Sequence, residues 1–382
     1  MEKTRRTNIR ATPVNMYYDM KKILLVAPVE GNGGIQSWTR KYIKTFTDDQ
    51  YKLVHVGVSK NRSLSKSQST IGRVIDGLKD LFDVRRSVIK AISENEFALM
   101  HTTTSGSFWT VRDYILNRIC HKHGIKTIMH CRYGCIPEDY NSRSFWGWLL
   151  RKTMHEFDQV WVLDSRSESA LKTDPIMKDK VFLTPNSIEV PTTCDLSPKK
   201  YNKIAFVGNL VPTKGLYELV EAVTRLKTDV ELLIAGPGRE DVIERIRAIS
   251  GNKIDNQIKI LGKLPNEKAV DLINSVDMIA LPTYYSSEAF PISILEAMSR
   301  GKIVISCPRA AIKDMLTAVD GTPCGMLVRE RSVDDIADAI LWCQNHMKEA
   351  DDMCEKAYEK AYTCYRTDVV YDLYRSLYRR LI

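Results

Sequence analysis

MIALPTYYSSEAFPISILEAM, residues 278–298, reads as strand, loop and helix in that order. Residues 278–281 form a short, wholly apolar run, the pattern of a strand covered on both faces of a parallel sheet. Residues 282–288 bring Pro, Thr, Tyr and Ser and read as a loop. A helix starts near Pro291, where a residue without an N–H is tolerated in the first turn. Its free amides, around residues 290–293, point back toward the strand end and favour an anion. Two carboxylates frame this turn: Glu288 in the loop and Glu296 about one turn into the helix. Placed on either side of a bound phosphate, they can accept hydrogen bonds from hydroxyls, which suits a nucleoside diphosphate sugar. Spacing alone is weak evidence, because glutamates eight apart arise by chance in a chain of this size. The context carries the weight.

The same unit recurs along the chain. Upstream of residue 200, apolar runs at 23–28, 53–58, 97–101, 127–130 and 159–163 predict strands, with a helix at 34–46. The segment 189–200, rich in Pro, Thr and Ser, reads as a linker. The pattern then restarts with strands at 203–207, 230–235, 258–261, 278–281 and 303–306. Helices are expected at 214–226, 239–249, 267–275 and 292–299, and from about residue 333 the chain reads as helical. Strands alternating with helices predict α/β domains with doubly wound parallel sheets. Two such units place a cleft between them, and ligands in these folds bind beyond the carboxyl ends of the strands.

The 382 residues, 44% hydrophobic and 27% charged, suit a soluble protein of two ordinary domains. No stretch approaches the roughly 18–20 apolar residues that span a bilayer. Residues 1–19 are basic without an apolar core, and we expect a dispensable leader before Met20. Nine cysteines without pattern fit a reducing compartment. Charge is uneven: residues 1–200 hold 32 Lys/Arg against 21 Asp/Glu, and residues 201–382 hold 24 against 26. The basic half is expected to meet something anionic.

Three local features bear on that partner. Gly31-Asn32-Gly33-Gly34 is a glycine turn before a helix, a place where backbone amides can approach a phosphate. Gln36 stands where a dinucleotide fingerprint would need its third glycine. Lys214, in FVGNLVPTKG (206–215), sits where the next helix should begin, an unfavourable place for a cation unless an anion compensates it. His130-Cys131 with Cys135, and Cys120-His121 with His123, resemble metal ligands but complete no structural zinc pattern. FWGWLLRK (145–152) and the run 74–90, with Lys79, Arg85 and Arg86, mix apolar and basic side chains as a membrane-surface helix does. Each suits an ordinary amphipathic helix equally well. The dispersed basic residues match no nucleic-acid recognition motif.

At FVGNLVPTKG, LLIAGPG, IKILGKLP, DLINSVDMIALPTYYSSEAFPISILEAM and CGMLVRERSVDDIADAI, the chain resembles the family 4 glycosyltransferases of the GT-B fold. The resemblance implies two Rossmann-like domains facing a cleft. An acceptor domain would span 20–190, a nucleotide-sugar domain 201–365, and a terminal helix 366–382 would pack back on the first domain. It implies that Glu288 contacts donor-sugar hydroxyls and Glu296 the ribose. The loop Ala289-Phe290-Pro291-Ile292 would offer its backbone N–H groups to the diphosphate, Lys214 would neutralise it, Gly33 and Gly34 would close over it, and His130 would reach the sugar. It further implies retention of anomeric configuration and no metal. Family members carry an arginine where this chain has Asn209, a donor-site position, which leaves Arg239 and Arg309 as candidate replacements. Arg309-Ala310-Ala311-Ile312-Lys313 stands in place of a Gly-Gly-x-Pro-Glu motif, and Ala289 in place of a glycine.

The expectation is a transferase moving a sugar from a nucleotide diphosphate donor, UDP favoured, to a polyprenyl-diphosphate-linked saccharide. The product would belong to capsule, O-antigen or exopolysaccharide synthesis. The setting would be cytoplasmic, peripheral on the inner membrane face. A nucleotide-sugar epimerase of the same architecture and a non-catalytic nucleotide-sugar-binding partner are the competing readings, and Asn209 keeps the second alive.

Overall fold

A computed structural model describes residues 20–31, 33–58 and 70–382, and its side chains resume at residue 77. The expected leader, Asn32 of the glycine turn and the side chains at the start of the 74–90 run lie outside the described residues. The first sheet comprises β1 (Lys21–Val26), β2 (Tyr51–Val56), β3 (Leu99–Thr104), β4 (Lys126–Cys131), β5 (Gln159–Val162) and β6 (Val181–Leu183). The second comprises β7 (Lys203–Val207), β8 (Glu231–Ala235), β9 (Ile258–Gly262), β10 (Met278–Leu281), β11 (Ile303–Ser306) and β12 (Met326–Leu327). All pairings within both sheets are parallel. The strand orders are β2-β1-β3-β4-β5-β6 and β12-β11-β10-β7-β8-β9. Each order reverses once, between β1 and β3 and between β7 and β10, and these switch points open crevices at the strand ends.

The strands read as apolar runs because both faces of each sheet are covered. In β1, Leu24 and Val26 join the core under one face, and Ile23 and Leu25 join the core under the other, the two-residue alternation of a strand. The second face is closed by the helix Thr367–Arg379, whose Val370, Tyr371, Tyr374, Leu377 and Tyr378 pack against Trp38, Tyr42, Trp161 and Ile128. That spacing makes one apolar stripe along a helix. Beside it, the Ile188 amide bonds the Tyr365 carbonyl and the Thr367 amide bonds the Ile188 carbonyl, so two passages of the chain between the sheets run side by side.

The structure departs from expectation in three elements. The helix expected over 214–226 is a 3₁₀ turn, Pro212–Lys214, followed by the helix Leu216–Arg225. Gly215 separates them at φ +72°, and a Cβ there would lie 2.1 Å from the Pro282 carbonyl oxygen. Strands β6 and β12, of three and two residues, were not expected. Both lie at sheet edges, too short to show a period.

Candidate active site

A cavity of about 400 Å³ lies between the two sheets. Its walls come from loops that follow strand ends. Gly33, Gly34, Ile35 and Gln36 follow β1, and Arg132 and Tyr133 follow β4. From the second domain, Asn209 and Lys214 follow β7, and Ser287 to Phe290 follow β10. The second domain's share comes from the two strands flanking its switch point.

Lys214 and Glu288 meet in this cavity. The Lys214 Nζ lies 3.1 Å from Glu288 Oε2, with both side chains largely buried. The anion that compensates Lys214 here is therefore Glu288. Thr283 Oγ1 lies 3.5 Å from the same carboxylate oxygen. The two domains also touch at this loop: a Cβ on Gly134 would sit 1.9 Å from the Glu288 carbonyl oxygen, and Cys135 Sγ lies 2.7 Å from the Ser286 carbonyl oxygen. Only a residue without a side chain allows that approach.

Across the cavity, the helix Gly34–Thr45 begins at Gly33 with no side-chain cap and no acidic residue in its first turn. Its free amides carry the partial positive charge of a helix end, with no side-chain cap or first-turn carboxylate among the described residues to offset it. Beside them stands Arg132, 7% exposed, its guanidinium 4.2 Å above the Trp38 ring. Arg132 Nη1 donates to His130 Nε2 at 3.2 Å, and Nη2 donates to Asn186 Oδ1. Asn186 in turn donates through Nδ2 to the Phe290 carbonyl of the other domain at 3.0 Å.

Most of the donor-site residues expected from the sequence converge: Gly33, Gly34, Asn209, Lys214, Glu288, Ala289 and Phe290 all line the cavity. Four do not. Pro291 and Ile292 sit behind the lining, at the start of the helix Ile292–Met298. Glu296, on that helix, is turned toward Lys41 and Arg300; burial raises its carboxyl pKa and those two cations oppose the rise. Lys41 bonds Ser187 and Thr367 and is lowered by burial, with Glu189 and Glu296 opposing. His130 is fully buried behind Arg132, and burial, Arg132 and His101 push its pKa well below the usual value. Among the described residues no group of three or more His, Cys, Asp or Glu converges as metal ligands would.

Neither arginine named as a replacement at position 209 enters the cavity. Arg239 is held by Asp241, with Nε 2.8 Å from Oδ1, and lines a separate cavity with Tyr217 and Pro237. Arg309 reaches the Tyr284 carbonyl at 3.0 Å and lies 3.6 Å from Glu330. The arginine that does line it is Arg132, which no motif in the sequence singles out. Its one signal is position: it follows directly on β4, at the carboxyl end of a strand.

Residues 195–360 match the family model for glycosyl transferases group 1. A component of the Arabidopsis thaliana phosphatidylinositol N-acetylglucosaminyltransferase is 24% identical over 292 residues, 69% of this chain and 62% of that protein. The chain spans less than two thirds of the length of the curated relatives it matches. Sucrose-phosphate synthase from Thermosynechococcus elongatus superposes with a TM-score of 0.71 at 16% identity, over 94% of this chain and 99% of that one. Anabaena HepE in complex with UDP-glucose superposes with a TM-score of 0.67 at 15% identity, over 93% of this chain and 99% of that one. The fold is thus GT-B, two Rossmann-like α/β domains facing a cleft.

Proposed function

We propose that the protein is a retaining glycosyltransferase that moves a hexose from a nucleotide diphosphate sugar to a lipid-linked saccharide. The observation that carries this reading is the interdomain cavity shared by the Lys214–Glu288 pair, Arg132 and the uncapped helix end at Gly33. Cations facing one another across the cavity, with free amides beside one of them, suit a diphosphate held between them, and a buried carboxylate next to Lys214 suits sugar hydroxyls. The match of the second domain to the group 1 model supports glycosyl transfer. UDP is the favoured nucleotide, since Anabaena HepE of like fold holds UDP-glucose. A lipid-borne acceptor is supported by the name of the Arabidopsis relative.

In this reaction the bond from the anomeric carbon to the diphosphate oxygen breaks, and its electron pair leaves with the diphosphate. Lys214, Arg132 and the Gly33–Gly34 turn stabilise that charge in a site largely shielded from water. An oxygen of the departing diphosphate takes the proton of the acceptor hydroxyl, which attacks from the same face and preserves the configuration. Glu288 orients the sugar through its hydroxyls. His130, enclosed and held neutral, acts behind the site and not on the sugar.

The acceptor lipid places the protein on a membrane face, in cell-surface polysaccharide synthesis. Phe145, Trp146 and Trp148 are exposed at the start of the helix Phe145–Glu156, with Lys152 Nζ 5.3 Å from the Trp148 ring centre. Phe108 links this cluster to the helix Thr70–Glu94: its ring lies 6.5 Å from that of Trp146, and it packs closely on Gly77. On that helix Leu78, Phe82 and Ile89 are exposed. Apolar rings with neighbouring Lys79, Arg85 and Arg86 suit the headgroup layer of an anionic membrane. No helix of the described residues is long and apolar enough to cross one.

The test is nucleotide release from UDP-, GDP- and ADP-sugars with a polyprenyl-diphosphate saccharide present, for wild type beside Glu288→Ala. Release from one donor only, lost in the variant, is the expected outcome. Saturable nucleotide binding without release from any donor or acceptor tried would instead support a non-catalytic binding partner.

A further inference from the structure

We infer that Arg132 is the cation that receives the donor diphosphate, and that the buried histidines His130 and His101 exist to hold it in that place. The inference rests on the donor reading above and assigns the charge within that same cavity.

Among the described residues two cations line the cavity, and they differ. Lys214 is already neutralised by Glu288 at 3.1 Å. Arg132 has no carboxylate within ion-pair distance among the described residues, although it is more than nine-tenths buried. Its Nε is buried with no hydrogen-bond partner. A buried charge without a counter-ion is costly to hold, and a fold keeps one where something else supplies the opposite charge. The guanidinium lines the cavity beside the helix end at Gly33 and shares it with the exposed Asn209. An anion entering from the cleft meets it.

The hydrogen bonds behind Arg132 have only one consistent direction. Arginine carries donors alone, so His130 Nε2 must accept. The proton of His130 is then on Nδ1, which donates to His101 Nε2 at 3.1 Å. His101 donates through Nδ1 to the Tyr378 hydroxyl at 2.7 Å, and Tyr378 donates to Tyr42 at 2.7 Å. Burial keeps both imidazoles neutral, with His101 lowered to about 3. A protonated His130 would present an N–H to the guanidinium and push it away. The neutral chain instead braces Arg132 from β4 to the terminal helix, while Asn186 ties it to the Phe290 carbonyl of the opposite domain. His130 and His101 are positioning residues. Arg132 is the one that touches the ligand.

The experiment measures binding of UDP and UMP by calorimetry to the full-length protein. It compares wild type, Arg132→Gln and the double variant Arg132→Gln with Asn209→Arg, which returns a guanidinium from the opposite wall. One charge-assisted contact predicts UDP affinity falling about 10- to 100-fold in Arg132→Gln, with a smaller loss for UMP. The double variant should recover to within about threefold of wild type, an effect that no purely structural role for Arg132 would produce. Unchanged UDP affinity in Arg132→Gln, or equal loss of UDP and UMP that Asn209→Arg does not restore, overturns the assignment. If Arg132→Gln does not fold, Arg132→Lys takes its place, with about tenfold weaker UDP binding expected and the same restoration required. Wild type that binds none of UDP, GDP or ADP removes the donor reading and this assignment with it. Wild type that binds UDP no better than Arg132→Gln removes the assignment alone.

Discussion

The Lys214–Glu288 pair makes opposite demands on its two members. Glu288→Gln keeps the shape and frees Lys214, so turnover should fall by about 10²-fold or more while UDP affinity holds or rises. Lys214→Met removes the phosphate contact proposed for this lysine and should weaken UDP by about 10-fold. Release assays and calorimetry on the two variants separate the roles, and a parallel loss in both would contradict them. Gly134→Ala tests the contact between domains, since its Cβ would meet the Glu288 carbonyl oxygen at 1.9 Å. A forced shift there should cost about 1–3 kcal/mol in thermal unfolding and impair turnover as well. That Lys214, Glu288 and Gly33 face one cavity was legible in the sequence because each sits in a turn whose backbone chemistry is local. Arg132 was not, because an unpaired buried charge is a property of surroundings that assemble from β4, the Gly33 turn and the Phe290 loop.

At the scale of elements, strands covered on both faces announce themselves as apolar runs, and β7, β10 and β11 have the bounds their composition predicts. The edge strands β6 and β12 escape because two or three residues cannot show a period. The helix Phe145–Glu156 illustrates the opposite limit. Its sequence shows aromatics beside basic residues, but only the structure shows Phe145, Trp146 and Trp148 facing outward. Trp146→Ser with Trp148→Ser should therefore abolish co-sedimentation with phosphatidylglycerol vesicles and leave UDP binding intact. Co-sedimentation equal to wild type would remove the membrane role of this helix. In the terminal helix, Tyr378→Phe deletes one hydroxyl and leaves His101 Nδ1–H without its acceptor. The unpaired buried donor should cost about 1–3 kcal/mol in urea unfolding; an unchanged midpoint would show that the chain behind Arg132 is not under strain to stay bonded.

For the whole molecule, the two buried histidines link stability to pH. Both have folded pKa values below the unfolded value of about 6.5, His101 near 3. Below pH 6.5 the unfolded chain takes up protons that the folded chain refuses. Their contribution to stability is therefore complete above about 6.5 and is lost as pH falls toward 3. Between pH 6.5 and 5 unperturbed carboxylates stay mostly ionised, while a raised one such as Glu296 opposes the trend, so urea unfolding should show stability falling on acidification with a slope of up to ~1.4 kcal/mol per pH unit for each histidine. A flat profile across that window would mean the imidazoles are not held neutral. The two-domain arrangement itself was legible because the strand–loop–helix unit restarts after the linker. The closeness of the two halves was not, since it rests on Gly134 meeting the Glu288 backbone across a separation no local pattern reports.

In the proposed reaction the cavity between the sheets is the nucleotide-sugar site. A crystal structure of the protein with UDP tests it most directly. The diphosphate is expected between Lys214 and Arg132, over the Gly33–Gly34 turn, with phosphate oxygens in hydrogen-bond reach of both cations. UDP bound away from these residues, for instance in the cavity formed by Tyr217, Pro237 and Arg239 with its phosphates directed to solvent, would contradict it.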